Sequence, residues 1–180
     1  MQVILSRKEI SEILSSVLNI EHNAILMLVY SARLRVSEVV KLKVEDIDDE
    51  RKLINIKGAK RRKDRYTILS DVVLNTLKKY LIENQPDNWF FSIAKPNRHI
   101  SILIVQAIFE HAMNLANIKK EFSVHYLQHI FATCLLESGV DLKCIQELLG
   151  HASSKTTEIY THVSNKNLRK IKSPLDNLEL

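Results

Sequence analysis

The scarcity of chain-breaking residues constrains this sequence most. Only three glycines and three prolines occur among its 180 residues. A fold with many β-turns needs such residues at short intervals, because glycine and proline supply the backbone angles of tight turns. Long segments without interruption, with apolar residues at helical spacing, are therefore expected. The scarcity favours a mainly α-helical fold.

Helical segments can be placed from caps and apolar spacing. Ser6, with Glu9 three residues later, has the pattern of a capping box ahead of the first helix. The acidic stretch 45–50 is predicted to be a solvated loop. Further helices are predicted at 24–30, 37–42, 71–83, 101–117, 123–138, 141–149, 153–162 and 164–171, with Asp71 as a cap and Gly139 and Gly150 near C-terminal caps.

Two short runs rich in β-branched residues, 53–56 and 66–69, interrupt the helical pattern. They predict one antiparallel β-hairpin. The connection between them is strongly basic, which suits contact with a DNA backbone, although a merely solvated turn is the alternative. The candidate DNA contacts of this loop are Lys60, Arg61, Arg62, Lys63 and Arg65.

Bulk properties narrow the class of protein. The length fits one domain, and a net charge of +5 is compatible with a nucleic-acid partner. Cys134 and Cys144 lack CxxC spacing, which suits a reducing compartment. No apolar run reaches the roughly 18 residues of a membrane span, and the first residues lack the pattern of a secretory signal. We expect a cytoplasmic protein with no membrane partner.

His125 and His129 lie four residues apart on one face of a predicted helix. A zinc pair is one interpretation, but it needs a third ligand, and a metalloprotease needs glutamate where Tyr126 stands. The other interpretation makes His125 a proton donor or phosphate contact and His129 a core histidine. Tyr160 is a candidate nucleophile only if other groups assist it, because a tyrosine hydroxyl has a pKa of about 10.

Four sequence motifs, taken in order, indicate that these residues belong to one functional site. Residues 32–39 read ARLRVSEV, Lys57-Gly58 precedes the basic turn, and residues 125–133 read HYLQHIFAT. The fourth motif has two parts, LLGH at residues 148–151 and TTEIYTH at residues 156–162. In order and spacing they resemble the motifs of the tyrosine recombinase family, the phage-integrase and Xer-like enzymes. The resemblance covers almost the whole chain and implies the catalytic-domain fold, mainly α with a small antiparallel sheet.

The resemblance implies site-specific DNA recombination through a covalent 3′-phosphotyrosyl intermediate. Tyr160 would attack a DNA phosphodiester and release a 5′-hydroxyl. Arg35 would bind the non-bridging oxygens, and Lys57 would protonate the leaving oxygen. His125 and His151 would hydrogen-bond the phosphate, with His125 also helping to remove the tyrosine proton. The family requires no metal, ATP or other cofactor.

Two positions depart from the family pattern. Gln128 stands where the second catalytic arginine is expected, so a cation is missing and weak or absent cleavage is expected. Either engineering or natural drift would account for it. Arg33 replaces the usual glycine, and it either alters the turn before Arg35 or adds a DNA contact.

The same resemblance predicts the domain organisation and the oligomeric assembly of the protein. Residues 1–180 would form a single catalytic domain, without the N-terminal core-binding domain of the family. The tail 164–180 would dock in cis or on a neighbouring copy, as in a homo-oligomer on double-stranded DNA, a tetramer in the full-length form. The alternative is a non-catalytic DNA-binding protein in which 141–149 and 153–162 form a helix-turn-helix.

Overall fold

The computed structural model describes residues 5–58, 64–93, 98–141, 143–145, 171–178 and 180. Within these ranges the chain is mostly helical with one small sheet, which confirms the predicted fold class. None of the helices described there has the length and hydrophobicity that a membrane span requires. The elements are α1 Arg7–Ser16, α2 Ile20–Ser31, α3 Val36–Val39, β1 Ile47–Asp48, β2 Leu53–Ile56, β3 Arg65–Ile68, α4 Asp71–Asn84, α5 Ile102–Leu115 and α6 His125–Glu137, with 3-10 turns at Val44–Asp46 and Pro174–Asn177.

Helix caps set the starts of α1 and α4. The predicted capping box is confirmed, since Ser6 Oγ accepts from the Glu9 N–H at 3.2 Å and Glu9 Oε2 accepts from the Ser6 N–H at 2.8 Å. The predicted cap at Asp71 is one residue late. Ser70 is the N-cap and accepts from the Val73 N–H, and Asp71 is the first helical residue.

Helix α2 lies at the centre of the domain. Every residue from Ala24 to Ser31 is buried, and the helix packs against α1, α3, α4, α5 and α6. A helix that is apolar on all sides is stable only where other elements surround it. The segment that follows α2 therefore starts from a helix that is buried over most of its length.

The sheet contains β1, β2 and β3 in that order, with antiparallel pairing and Ile54 opposite Thr67. The predicted hairpin is confirmed as β2 and β3. The prediction of a solvated loop at 45–50 is wrong, because this segment enters a 3-10 turn and then β1. Val44 and Ile47 pack against the core and carry the intervening Asp46 into a position where it is only 5% exposed.

A second apolar cluster joins the sheet to α6. Leu53 and Ile68 from the strands pack with Phe131 and Leu135 from α6 and with Ile145. Helix α6 ends where predicted, because Gly139 follows its C-cap with φ of 78°, in the left-handed region that glycine tolerates. This cluster fixes the hairpin relative to the helix that begins at His125.

The described end of the tail packs on its own domain. Leu175 is fully buried, and the 3-10 turn around it contacts α2, α4 and α6. Asp176 Oδ1 accepts from Ser70 Oγ at 2.6 Å and from the Val72 N–H at 3.3 Å. The predicted helices at 153–162 and 164–171, most of the one at 141–149, and Gly150 lie outside the described residues.

Thr67 holds β3 against the end of α2, because its buried Oγ1 donates to the Ala32 carbonyl at 2.8 Å. Thr67→Val removes the donor and leaves that carbonyl unpaired in the core. We expect the free energy of unfolding to fall by about 1–3 kcal/mol in urea denaturation.

The matched control is Thr133→Val, since Thr133 is exposed and its hydroxyl donates to the His129 carbonyl of its own helix. This change should stay within about 0.5 kcal/mol of the parent. Equal losses in both variants would contradict the role assigned to Thr67.

Candidate active site

The turn between α2 and α3 carries Arg35. After α2 ends, Arg33 takes a left-handed backbone with φ of 49°, Leu34 is fully buried, and Arg35 leads directly into α3. The Arg35 side chain is exposed, and it forms no ion pair with the residues that the structure describes. The backbone of this residue is thus anchored while its guanidinium is available to an anion.

Glu38 fixes the turn from one side. Its Oε2 accepts from the Arg35 N–H at 2.8 Å and from Arg65 Nη2 at 2.9 Å. The side chains of Arg65 and Glu38 are only 19% and 18% exposed, so this ion pair is largely shielded from solvent. Burial lowers the pKa of Arg65, and the carboxylate of Glu38 opposes that shift. Arg65 therefore lies on β3 as a structural partner of Glu38, and its role in DNA binding stays a prediction.

Gln128 fixes the same turn from the other side. Its Nε2 donates to the Leu34 carbonyl at 2.7 Å, joining α6 to the residue before Arg35. His125 is the first residue of α6 and has an exposed side chain. Residues three apart share a helix face, so His125 lies one turn from Gln128 on that face. The position expected to hold a second arginine is thus at the Arg35 turn, but it carries no charge.

His129 is not the core histidine that the sequence suggested. Its side chain is exposed, and its ring meets the edge of Tyr126 with 6.4 Å between centroids. The core-facing side of α6 is taken instead by Leu127, Phe131 and Leu135. In the part of the chain that the structure describes, no cluster of three or more His, Cys, Asp or Glu side chains is arranged to hold a metal.

Lys57, directly after β2, is held by two carboxylates. Its Nζ lies 2.6 Å from Glu45 Oε1 and 3.0 Å from Asp46 Oδ1. The hydrogen bond to Glu45, and then the one to Asp46, raises the pKa of Lys57. The side chain is 48% exposed, so solvent weakens the pairing and leaves the ammonium within reach of another partner. This lysine carries its proton at neutral pH, and a change of partner must precede any donation.

Arg33 adds a third guanidinium to the turn. Its side chain is half-buried, and burial lowers its pKa, followed by the positive charges of Arg65 and Arg35. Arg33, Arg35 and Arg65 are thus brought together with Glu38. The predicted site residues that lie outside the described residues are Lys60, Arg61, Arg62, Lys63, His151 and Tyr160.

Sequence reasoning assigned no role to the acidic residues of the site. Glu38 carried a readable signal, because a glutamate three residues after a helix start commonly accepts from the N-cap backbone. Glu45 and Asp46 carried none. They reach Lys57 only because pairing of β1 with β2 brings the preceding 3-10 turn beside the end of β2.

Known proteins are similar to this chain in sequence and in fold. A model of the Phage integrase family matches residues 4–167. The tyrosine recombinase XerA of Pyrococcus horikoshii is 36% identical over 166 residues, covering 92% of this chain and 58% of that protein. The tyrosine recombinase XerD of Staphylococcus saprophyticus is 37% identical over 153 residues, covering 81% of this chain and 51% of that protein.

Solved structures agree with these relatives. A crystal structure of XerA recombinase has a TM-score of 0.78 at 30% identity, covering 94% of this chain and 64% of that one. XerH site-specific recombinase, in a pre-cleavage complex with difH substrate, has a TM-score of 0.73 at 28% identity, covering 89% of this chain and 50% of that one. This chain thus spans between half and two thirds of the length of the proteins compared here.

The resemblance drawn from the four motifs is confirmed by a family match over nearly the whole chain and by neighbours of the same architecture. The chain belongs to the phage integrase family, and its fold is that of a tyrosine recombinase catalytic domain.

Proposed function

We propose that this chain breaks and rejoins DNA at specific sites through a covalent phosphotyrosine, as an integrase or a Xer-type recombinase. Tyr160 Oη forms a bond to the scissile phosphorus while the bond from phosphorus to the 5′-oxygen breaks. His125 helps to accept the tyrosine proton, Lys57 delivers a proton to the 5′-oxygen, and His151 hydrogen-bonds the phosphate. Attack by a 5′-hydroxyl of another strand reverses these steps and releases Tyr160.

The observation that supports the proposal is that Arg35 has an exposed guanidinium on a backbone turn held by hydrogen bonds. Its guanidinium is exposed beside two further arginines, while Glu38 and Gln128 hold the backbone of the turn. Arginine keeps its charge at any physiological pH and binds two phosphate oxygens at once. A guanidinium carried by a turn that is held before substrate arrives can stabilise the charge of a phosphoryl transition state with little rearrangement of the backbone.

The expected substrate is double-stranded DNA. The family match and the DNA complexes among the structural neighbours, including XerH with difH, support this assignment. The net charge of +5 and the basic residues Lys60, Arg61, Arg62 and Lys63 fit contact with the phosphate backbone. Binding should therefore weaken steeply as salt is raised.

The tail connects this chemistry with assembly. In the described residues its end is docked in cis, through Leu175 and Asp176. We propose that residues 164–180 leave this position and dock on a neighbouring copy when the protein assembles on DNA, as a tetramer in the full-length form with its core-binding domain. The cis position then represents the protein before assembly.

Gln128→Arg should raise the yield of covalent complex. The amide at this position contributes no charge, and an arginine there adds a cation beside Arg35, which we expect to increase the cleavage rate about a hundredfold. The measurement uses nicked suicide duplexes that carry the site selected by this chain from a random library. Covalent product is quantified on denaturing gels.

Two controls accompany this assay. Gln106→Arg adds the same charge on α5 and should leave the rate unchanged, while Tyr160→Phe in the Gln128→Arg background should abolish product. If Gln128→Arg forms no more covalent product than the parent, the proposed limitation by Gln128 is wrong.

Lys57→Ala should slow cleavage of ordinary DNA by about two to four orders of magnitude, because no group then protonates the departing 5′-oxygen. The same variant should cleave at nearly the parental rate when sulphur replaces that oxygen, since a thiolate leaves without protonation. Lys52→Ala is the matched control, because Lys52 lies at the opposite end of β2 and pairs with Asp71. An equal defect on both substrates would remove Lys57 from the role of general acid.

Asp176→Ala should release the tail from its cis position, because it removes the bonds to Ser70 and Val72. We expect trypsin to cleave after Lys172 about five- to tenfold faster, as the undocked population grows. Asp71→Ala is the control, since Asp71 begins α4 but pairs with Lys52 instead of the tail. Identical cleavage rates in both variants and the parent would contradict cis docking through Asp176.

A further inference from the structure

The turn before Arg35 poses a physical problem. Arg33 has φ of 49°, a region that a side chain with a Cβ atom disfavours and that glycine enters freely. An arginine at this position either alters the turn or adds a contact. The backbone here has the conformation that suits glycine, so an arginine gains nothing from it, and any contribution of Arg33 comes from its side chain.

The surroundings of that side chain do not stabilise its charge. The guanidinium is half-buried, and no described carboxylate lies within ion-pair distance of it. Its strongest electrostatic neighbours are Arg65 and Arg35, both of the same sign. Glu38, the nearest acid, already accepts from Arg65 and from the Arg35 backbone. Burial without a counter-ion, next to like charges, is unfavourable unless an anion occupies the space between them.

Position 128 meets the same turn. The Gln128 side-chain amide donates a hydrogen bond to the Leu34 carbonyl, and Leu34 lies between Arg33 and Arg35. The two departures from the family pattern are therefore neighbours in the fold, although they are far apart in the sequence. One adds a guanidinium at this turn and the other removes one, so the number of cations around Arg35 is unchanged.

We propose that Arg33 supplies a second cation for ground-state binding of the phosphate, in place of the arginine that the family pattern has at position 128, while the stabilisation of transition-state charge expected from Gln128→Arg is a separate effect that Arg33 does not supply. This inference rests on the proposed function, because it assigns the anion to the scissile phosphate. Arg33 and Arg35 then hold non-bridging oxygens from consecutive positions of one turn, and Gln128 serves as a positioning residue that fixes Leu34 between them.

The test is a double-mutant cycle with inorganic phosphate as the probe. Binding to the chain of residues 1–180 is followed at constant ionic strength and pH 7 through the 15N–Hε resonances of the arginines. Arg33→Gly should weaken phosphate binding about tenfold, whereas Arg33→Lys should retain part of it. In the Gln128→Arg background, Arg33→Gly should cost less than about twofold, because the arginine at 128 restores the missing cation.

Two controls separate this role from a structural one. Arg51→Gly removes one positive charge from an exposed turn and should change phosphate binding less than twofold. Arg33→Gly should melt at the parental temperature or above, because glycine suits a φ of 49°. A loss of phosphate binding without a loss of stability cannot arise from unfolding.

Each outcome bears on the proposal. Equal losses on Arg33→Gly in both backgrounds would overturn the exchange between positions 33 and 128. Unchanged phosphate binding in Arg33→Gly would overturn the phosphate contact itself. Neither result depends on DNA cleavage, so a failure of every variant to form covalent complex through Tyr160 would count against the proposed function alone.

Discussion

The carboxylate of Glu38 is the contact on which the arrangement of the site depends. It accepts from the Arg35 backbone and from Arg65, and so joins the start of α3 to strand β3. Three guanidinium groups would repel one another at this turn without a central anion. Because the pair with Arg65 is more than four-fifths shielded, water does little to weaken it. One acid thereby makes a concentrated positive site compatible with a folded protein.

The remaining site residues are positioned by packing that has no catalytic role. The central helix α2 is buried on every side and delivers the Arg35 turn from a rigid base. The cluster of Phe131, Leu135 and the two strands sets α6 against the hairpin, which brings His125 and Gln128 toward that turn. Interiors packed this densely deform little, so the backbone that carries these side chains keeps its position without a ligand.

Lys57 differs from Arg33 and Arg35 because it is already paired with acidic side chains. Lys57 lies on the hairpin and is neutralised by Glu45 and Asp46. Its pKa is raised by these carboxylates, so it carries a proton in the unbound protein and cannot readily release it there. Arrival of a phosphate near the arginines would favour exchange of partners, since a partly exposed ion pair is weak enough to break. The turn that carries Arg33 and Arg35 is thus preorganised, while the lysine must change partners when substrate binds.

Much of this could be predicted from the sequence, because it depends on neighbours along the chain. The capping box at Ser6, the hairpin, the limits of α4 and α6 to within a few residues, and the family itself follow from local spacing and motifs. The solvated loop at 45–50 and the core position of His129 were wrong for one reason. The first judgement took polarity as a guide to exposure and the second took a place on a helix face as a guide to burial, whereas exposure is set by which surfaces the rest of the fold covers.

The sequence by itself determined the family and the residue types of the site, including the glutamine at 128 and the arginine at 33. Only the tertiary structure showed that these two positions meet at one turn, that Glu38 is shared between Arg35 and Arg65, and that Lys57 is paired with acids. The physical reason is that charge acts through space. Residues distant in the chain alter one another's electrostatics only where packing has brought them within a few ångströms.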